Sequence, residues 1–291
     1  MQMMMWIMLL CGLPVLWSMV AAEFSMLKIK KGCVMGLQIP PGEEDNEELA
    51  RLLRRCRHSL LWLALFWSLL MIPLFWVAYE SVLFAAWMVW LLVAILLPMG
   101  VYGHYFNRLK HRKRSLGWEL GAEEENHLHG GFFYYNREDP RVLVPMLGSH
   151  SSIFHLARLP GKLLFGFVAL CLLSLPFFGA WILAEDFTDM EVSISETSVS
   201  ASHLQTEYTV EYNEVESVSL LWELPPCRRS SGYELTHLTK GHFFVDGYGK
   251  GLVCVDDRDA VILALETANT VYFMSFPRRE EAERVIQRID V

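Results

Sequence analysis

The sequence predicts an α-helical transmembrane region of four helices, followed by a C-terminal α+β domain of short antiparallel strands ending in one helix. Three observations carry this. Four runs without a single Asp, Glu, Lys or Arg are long enough to cross a bilayer. From Met190 onward the apolar residues recur with a period of two, the signature of strands. After Pro277 the period turns helical once and the chain ends.

The four runs are Met1–Ala22, Ser59–Tyr79, Ser81–Tyr102 and Leu163–Ala184. They lift the hydrophobic share of the 291 residues to 53%, above that of an ordinary soluble domain. In lipid the backbone must satisfy its own hydrogen bonds, so each run is expected to be a helix. Each carries a proline, and Pro73 and Pro176 fall far enough inside to predict kinks. Ser68 and Ser174 are expected to bond to their own helix backbones. A competing reading takes the first run as a signal peptide ending at Val20-Ala21-Ala22. It has no basic n-region, and cleavage would place Lys28, Lys30 and Lys31 outside.

Charge sets the expected orientation. Basic residues gather between the first two runs (Lys28, Lys30, Lys31, Arg51, Arg54, Arg55, Arg57). They gather again after the third (Arg108, Lys110, Arg112, Lys113, Arg114) and before the fourth (Arg158, Lys162). Residues Glu185–Cys227 hold ten acidic residues and no Lys or Arg. This predicts a multi-pass cell-membrane protein with the N-terminus and C-terminal domain outside and the basic loops cytoplasmic. The domains read as 1–103 (three spans with a basic amphipathic loop, 23–58), 104–162 (a cytoplasmic loop domain), 163–184 (the fourth span) and 185–291. Within the first loop, Pro40-Pro41-Gly42 is a turn, and Glu43–Arg57 is a helix, acidic first and basic last, leading into the second span.

In 104–162, "GGFFYYNREDPRVLVP" reads as a hairpin, with strands at Gly131–Tyr135 and Arg141–Val144 and a turn from Asn136 to Pro140. Ile153–Leu159 is expected to lie flat on the membrane. Tyr134, Tyr135, Asn136, Asp139, Pro140 and Arg141 are the candidate motif, structural or interactive. With Val144 and Pro145, and with "GLQIPP" upstream, they resemble a small domain of unknown function that accompanies SdpI-like membrane helices. "YFNRLKHRKRSLGWELG" resembles the segment after a helix in the same SdpI-type proteins, among which are bacterial toxin-immunity and signalling proteins. The chain departs from that pattern at Met146, where Lys is common, and at His155, where Asn is. It also departs around His127–His129, where Trp occurs. His127, His129, His150 and His155 share no metal-ligand spacing, so no metal is expected.

In the C-terminal domain about seven short strands precede one amphipathic helix, "RREEAERVIQRID", with Ala282, Val285, Ile286 and Ile289 on one face. "KGHFFVDGYGK", through Lys240, Gly241, Phe243, Val245, Gly247, Gly249 and Lys250, resembles bacterial pleckstrin-homology-like domains attached to membrane segments. The resemblance implies an antiparallel β-barrel capped by one helix. Arg228, Arg229, Lys240 and Lys250 are the candidate loop patch. The domain counts nine Lys and Arg against twenty Asp and Glu, which disfavours anionic headgroups as its ligand. Cys227 and Cys254 are read as free thiols, with a disulfide as the alternative. "GYGKG" lies between strands, not before a helix, and so fails as a phosphate loop.

No nucleophile elbow, phosphate loop or metal motif occurs. A catalytic site, a cofactor and nucleic-acid binding are therefore not expected. The expected function is a non-enzymatic sensor, scaffold or immunity protein in the lipid bilayer, whose outer domain binds an envelope protein or peptide. The alternative is a transporter or channel component, disfavoured by spans free of ionisable residues.

Overall fold

The computed structural model describes residues 2–118, 123–148 and 152–289. Two compact units emerge, one from 1–77 with 86–178 and one from 78–85 with 179–291. Four helices are long and apolar enough to cross a membrane.

In the first unit, α1 (Gln2–Met26) runs through Pro14. Its 25 residues reach about 38 Å, more than a bilayer core requires. A two-residue ribbon, β1 (Cys33–Val34) and β2 (Leu37–Gln38), follows. Helix α2 (Glu47–Leu69) starts at Asn46, whose side chain accepts from the Glu48 and Leu49 amides. Glu47 and Glu48 complement the dipole in its first turn. Leu49, Leu53, Cys56, Leu60 and Ala64 recur every three or four residues as its buried stripe. The amphipathic loop segment and the second span are therefore one helix. It ends before Pro73, where a 3-10 turn (Ile72–Trp76) takes over.

Helix α3 (Glu80–Ser115) continues well past Tyr102, because its basic final turn favours the negative end of the dipole. Trp67 and Trp90 bind α2 to α3 reciprocally, each indole N–H donating to the other's carbonyl at 3.2 and 3.0 Å. Ser68 and Ser174 donate to Ala64 and Cys171 of their own helices.

A turn, α4 (Glu123–Asn126), leads to a four-stranded sheet of β3 (Leu128–His129), β4 (Phe133–Tyr134), β5 (Leu143–Pro145) and β6 (Ser152–His155), in the order β3-β4-β6-β5. This corrects the expected hairpin. The two arms of the motif never pair, because β6 lies between them, parallel to β4 and antiparallel to β5. It also corrects the segment expected to lie on the membrane: Ile153 and His155 are buried strand residues. The sheet packs on the same apolar core as the helices, joining Tyr134, Val144 and Ile153 to Leu60, Tyr102 and Phe106. Only glycine fits at 131, where φ is +79° and a Cβ would lie 2.6 Å from the Tyr102 ring. Lys110 and Lys113 turn inward, Lys110 donating to three carbonyls (Glu125, Asn126, Leu128) and Lys113 to Gln38 O and Glu125. Helix α5 (Leu159–Phe187) runs unbroken through Pro176.

The second unit holds nine strands among its described residues. A three-stranded antiparallel sheet comprises β7 (Glu191–Ile194), β8 (Ser198–His203) and β9 (Thr206–Glu211). A six-stranded sheet is ordered β10-β14-β15-β13-β12-β11. Its members are β10 (Val215–Leu221), β11 (Cys227–Glu234), β12 (Leu238–Val245), β13 (Gly249–Asp256), β14 (Val261–Thr267) and β15 (Val271–Phe276). Two features differ from the expected antiparallel barrel. β13 and β15 pair in parallel, and the sheet is not closed, with β10 and β11 as its edges.

One sheet face, through Cys254, Leu263, Met274 and Phe276, packs against Val199, Ala201 and Val210 of the smaller sheet. The same face meets Ala282 and Val285 of the terminal helix α6 (Arg279–Ile289). The other, through Phe243, Val253, Ala264 and Phe273, is buried with Leu221 and Cys227 from the two edge strands. At β14 both faces are buried, which explains the nearly continuous apolar run "VILAL". β11 was missed in the sequence because "CRRSSGYE" is exposed along most of its length and lacks apolar alternation.

At the crossing of β11 and β12, Gly232 faces Gly241 with φ of +126° and +128°. A Cβ on Gly241 would lie 2.4 Å from Ser231 O. Gly241→Ala is expected to cost about 3 kcal/mol, read as a lowered thermal midpoint of the solubilised chain. Gly166→Ala, which meets open space, should not lower it. Equal midpoints would show that the strand crossing is not the constraint.

Candidate functional site

Polar and charged side chains are brought together in four places. The first is the motif loop. His155 is fully buried, with Nδ1 2.5 Å from Arg141 O and Nε2 2.7 Å from Asn136 O, so the ring holds both ends of the 136–141 turn. The Tyr134 ring packs against that imidazole, tilted at 59° with centroids 5.0 Å apart, and its hydroxyl donates to Asp139 at 3.3 Å. Asn136 accepts from the Glu138 amide, closing an Asx turn. The Arg141 guanidinium and amide both donate to Asp139, at 2.6 Å for the shortest bond, and hold its carboxyl well below the usual carboxylate range. Arg158 donates to the Asp139 and Arg137 carbonyls.

Four of the six motif residues, Tyr134, Asn136, Asp139 and Arg141, thus converge, while Tyr135 and Pro140 stay at the surface. The centre of the knot, His155, carried no local signal, because it enters from a strand distant in sequence. Among the described residues no three His, Cys, Asp or Glu side chains gather as a metal set. His150 lies outside the described residues.

The second place is a buried charge network in the C-terminal unit. Lys240 of β12 was expected in an exposed basic patch. It is instead buried and donates to Glu185 Oε2 of α5 at 2.8 Å. Its neighbours Leu238, Thr239 and Gly241 are buried with it, so its charge needs a partner, and Glu185, itself buried, supplies it. The Lys240 ammonium also lies 3.2 Å from His203 Nδ1 of β8 and 5.6 Å from the Tyr233 ring. His203 Nε2 faces the Thr188 carbonyl at 3.1 Å, so Nε2 carries the proton and Nδ1 accepts from the ammonium. Burial, then the Lys240 charge, lowers the imidazole pKa, against Glu185 and Asp256, which raise it.

Next to Glu185, Asp186 accepts from the Ser81 hydroxyl and, at 2.9 Å, from the His237 amide. Tyr79, Phe187 and His237 form an aromatic cluster over it, with ring centroids 5.3–5.8 Å apart. The last turn of α5 and the first of α3 are thereby fastened to the strands.

The third place is the outer edge of β11. Arg228 stands opposite Phe244, which stands opposite Lys250 on β13, a cross-strand row in which Phe244 is half exposed. A groove of about 360 Å³ runs beside it, lined by Ser231, His242, Phe244, Lys250 and Asn269. Of the four predicted patch residues, Arg228, Arg229 and Lys250 are exposed here and Lys240 is not. Cys227 and Cys254 are free and serve opposite faces of the sheet. Burial pushes the Cys254 thiol up to about 12.

The fourth is Glu23. It stands one residue beyond the predicted first span, yet α1 continues to Met26 and buries it. Neither of its carboxylate oxygens, nor the buried Tyr102 hydroxyl, meets a hydrogen-bond partner among the described residues. Cys56 lies within electrostatic reach of both. The run Met1–Ala22 itself carries no charge, but the helix built on it extends to include one.

No family model matches the chain, and no curated protein or solved structure is significantly similar to it.

Removing one partner of the Lys240–Glu185 pair strands the other charge. Lys240→Met is expected to cost about 3–5 kcal/mol, and adding Glu185→Leu to restore most of it, read from unfolding midpoints of the solubilised chain. Equal losses in the single and double variants would assign the effect to packing alone. His203 adds a pH term. Its folded pKa is lowered, so below the ordinary 6.5 the unfolded chain binds more protons. Stability should therefore fall as the pH drops below that value, and His203→Gln should flatten the slope.

Proposed function

We propose that the chain is a membrane-anchored binding protein of sensor, scaffold or immunity type, without catalytic activity, whose C-terminal domain takes up an extended acidic peptide. The observation that carries this is the open edge of β11, eight residues long and mostly exposed, with paired strand on one side only. Such an edge offers its backbone to an added strand. Arg228 and Arg229 lie on it and Lys250 close by, in a domain otherwise dominated by acid, so an acidic strand is attracted here and repelled elsewhere. The Phe244 groove supplies a pocket for an apolar side chain of the guest.

The resemblances to SdpI-type proteins and to bacterial pleckstrin-homology-like domains support the same reading, as does the basic-loop bias, which favours an extracytoplasmic C-terminal domain.

Eight-residue peptides alternating Glu and Val, added to the full chain in nanodiscs, should slow amide exchange in β11. Arg228→Glu with Arg229→Glu should weaken binding at least about tenfold. Protection confined to another element, or unchanged binding by the double variant, would sink the strand-addition model.

A second reading, a transporter or channel component, is favoured by Glu23. Buried ionisable groups in membrane helices mark ion and proton paths. It predicts proton flux in proteoliposomes that Glu23→Gln abolishes; absence of flux in the parent chain removes this reading.

A further inference from the structure

A cavity of about 600 Å³ lies between the N-terminal half of α2 and the C-terminal end of α3. Neither the strand edge nor Glu23 is part of it. We propose that it binds the phosphate headgroup of an anionic phospholipid.

The argument begins with spacing. Arg51 and Arg55 on α2, and Arg108 and Arg112 on α3, are two pairs at i,i+4, so each pair presents its guanidiniums on one helix face. All four line the same cavity although the helices are distant in sequence. A run of arginines in a solvated loop shares no such concave surface. Glu48 is the one acid among the lining residues, and it is spent on Arg112, to which it bonds at 2.5 Å. Arg51 leans on Glu47 at 3.7 Å. Arg55 and Arg108 make no ion pair or hydrogen bond among the described residues. Two planar donor forks are thus left unspent, and bidentate recognition of a phosphate is what such forks do best.

The walls point to a lipid rather than a free anion. Leu49 and Leu109 form a buried floor, with Leu52, Tyr105 and Trp118 half buried around it. Below Arg55 the α2 residues from Ser59 onward carry no charge, and α3 carries none from Ser81 to Tyr102, two residues before the cavity begins at His104. The basic rim therefore sits where two membrane-length helices leave their apolar segments. That is the level at which a headgroup lies with its acyl chains running alongside the helices. Tyr and Trp belong at this boundary for the same reason.

The test uses the full chain in nanodiscs, with phosphatidylglycerol against phosphatidylcholine as probes and lipid retention read by native mass spectrometry. Preferential retention of phosphatidylglycerol is expected. Arg55→Gln with Arg108→Gln should weaken it by about tenfold per arginine while leaving the thermal midpoint in phosphatidylcholine unchanged, since both side chains are exposed. Lys28→Gln with Arg54→Gln removes the same charge outside the cavity and should leave retention intact. Equal retention of the two lipids, or equal loss in the two double variants, overturns the site. A second arm adds inorganic phosphate to chain held in phosphatidylcholine. Saturable binding there with the same dependence on Arg55 and Arg108 would make this a soluble-anion site and overturn the lipid assignment.

Discussion

Burying a charge is costly unless an opposite charge or hydrogen bonds are buried with it, and in the C-terminal unit Lys240 and Glu185 meet that condition together. Glu185 sits in the last turn of a helix, Lys240 near the start of a strand, and His203 on a strand of the other sheet closes the set. The three can meet only in one rotation of α5, one register of β12 and one placement of the smaller sheet. A one-residue slip of β12 would carry Lys240 to the apolar face and leave Glu185 alone. The pair stabilises the unit less than it selects among its possible packings. Apolar burial is non-directional and would accept several of them.

A comparable division of labour holds in the helical unit. Its core of Leu, Met and aromatic residues runs unbroken from the helices into the four-stranded sheet. The irregular backbone of the 136–141 turn, however, is held by a buried imidazole, an Arg–Asp pair and the Arg158 guanidinium. Almost every polar group in that turn is engaged internally, which is the behaviour of a structural knot. The surfaces still open to partners are elsewhere: a strand edge with two arginines, and a basic groove where two helices leave their apolar segments.

The apolar runs announced the four long helices because length without charge has few other uses. Period two announced most of the nine strands among the described residues of the C-terminal unit. β11 escaped because an edge strand needs no apolar face, and the extension of α3 past Tyr102 escaped because an exposed basic helix has neither length signal nor stripe. The hairpin was misread since "FFYYNREDPRVLV" contains every local cue for one. What excludes it is β6, which no local cue can place between the arms. Lys240 looked like a loop charge beside Lys250 for the same reason.

Composition and periodicity thus decided which stretches are helix, strand or turn, because those choices depend on neighbours within a few residues. Tertiary structure alone decided which charges are spent and which are free. Lys113, Lys240 and Asp139 are consumed by partners, while Arg55, Arg108, Arg228 and Arg229 stay available. The physical reason is that a charge's role is set by what desolvates it and what faces it. Both come from segments that meet only when the chain has folded.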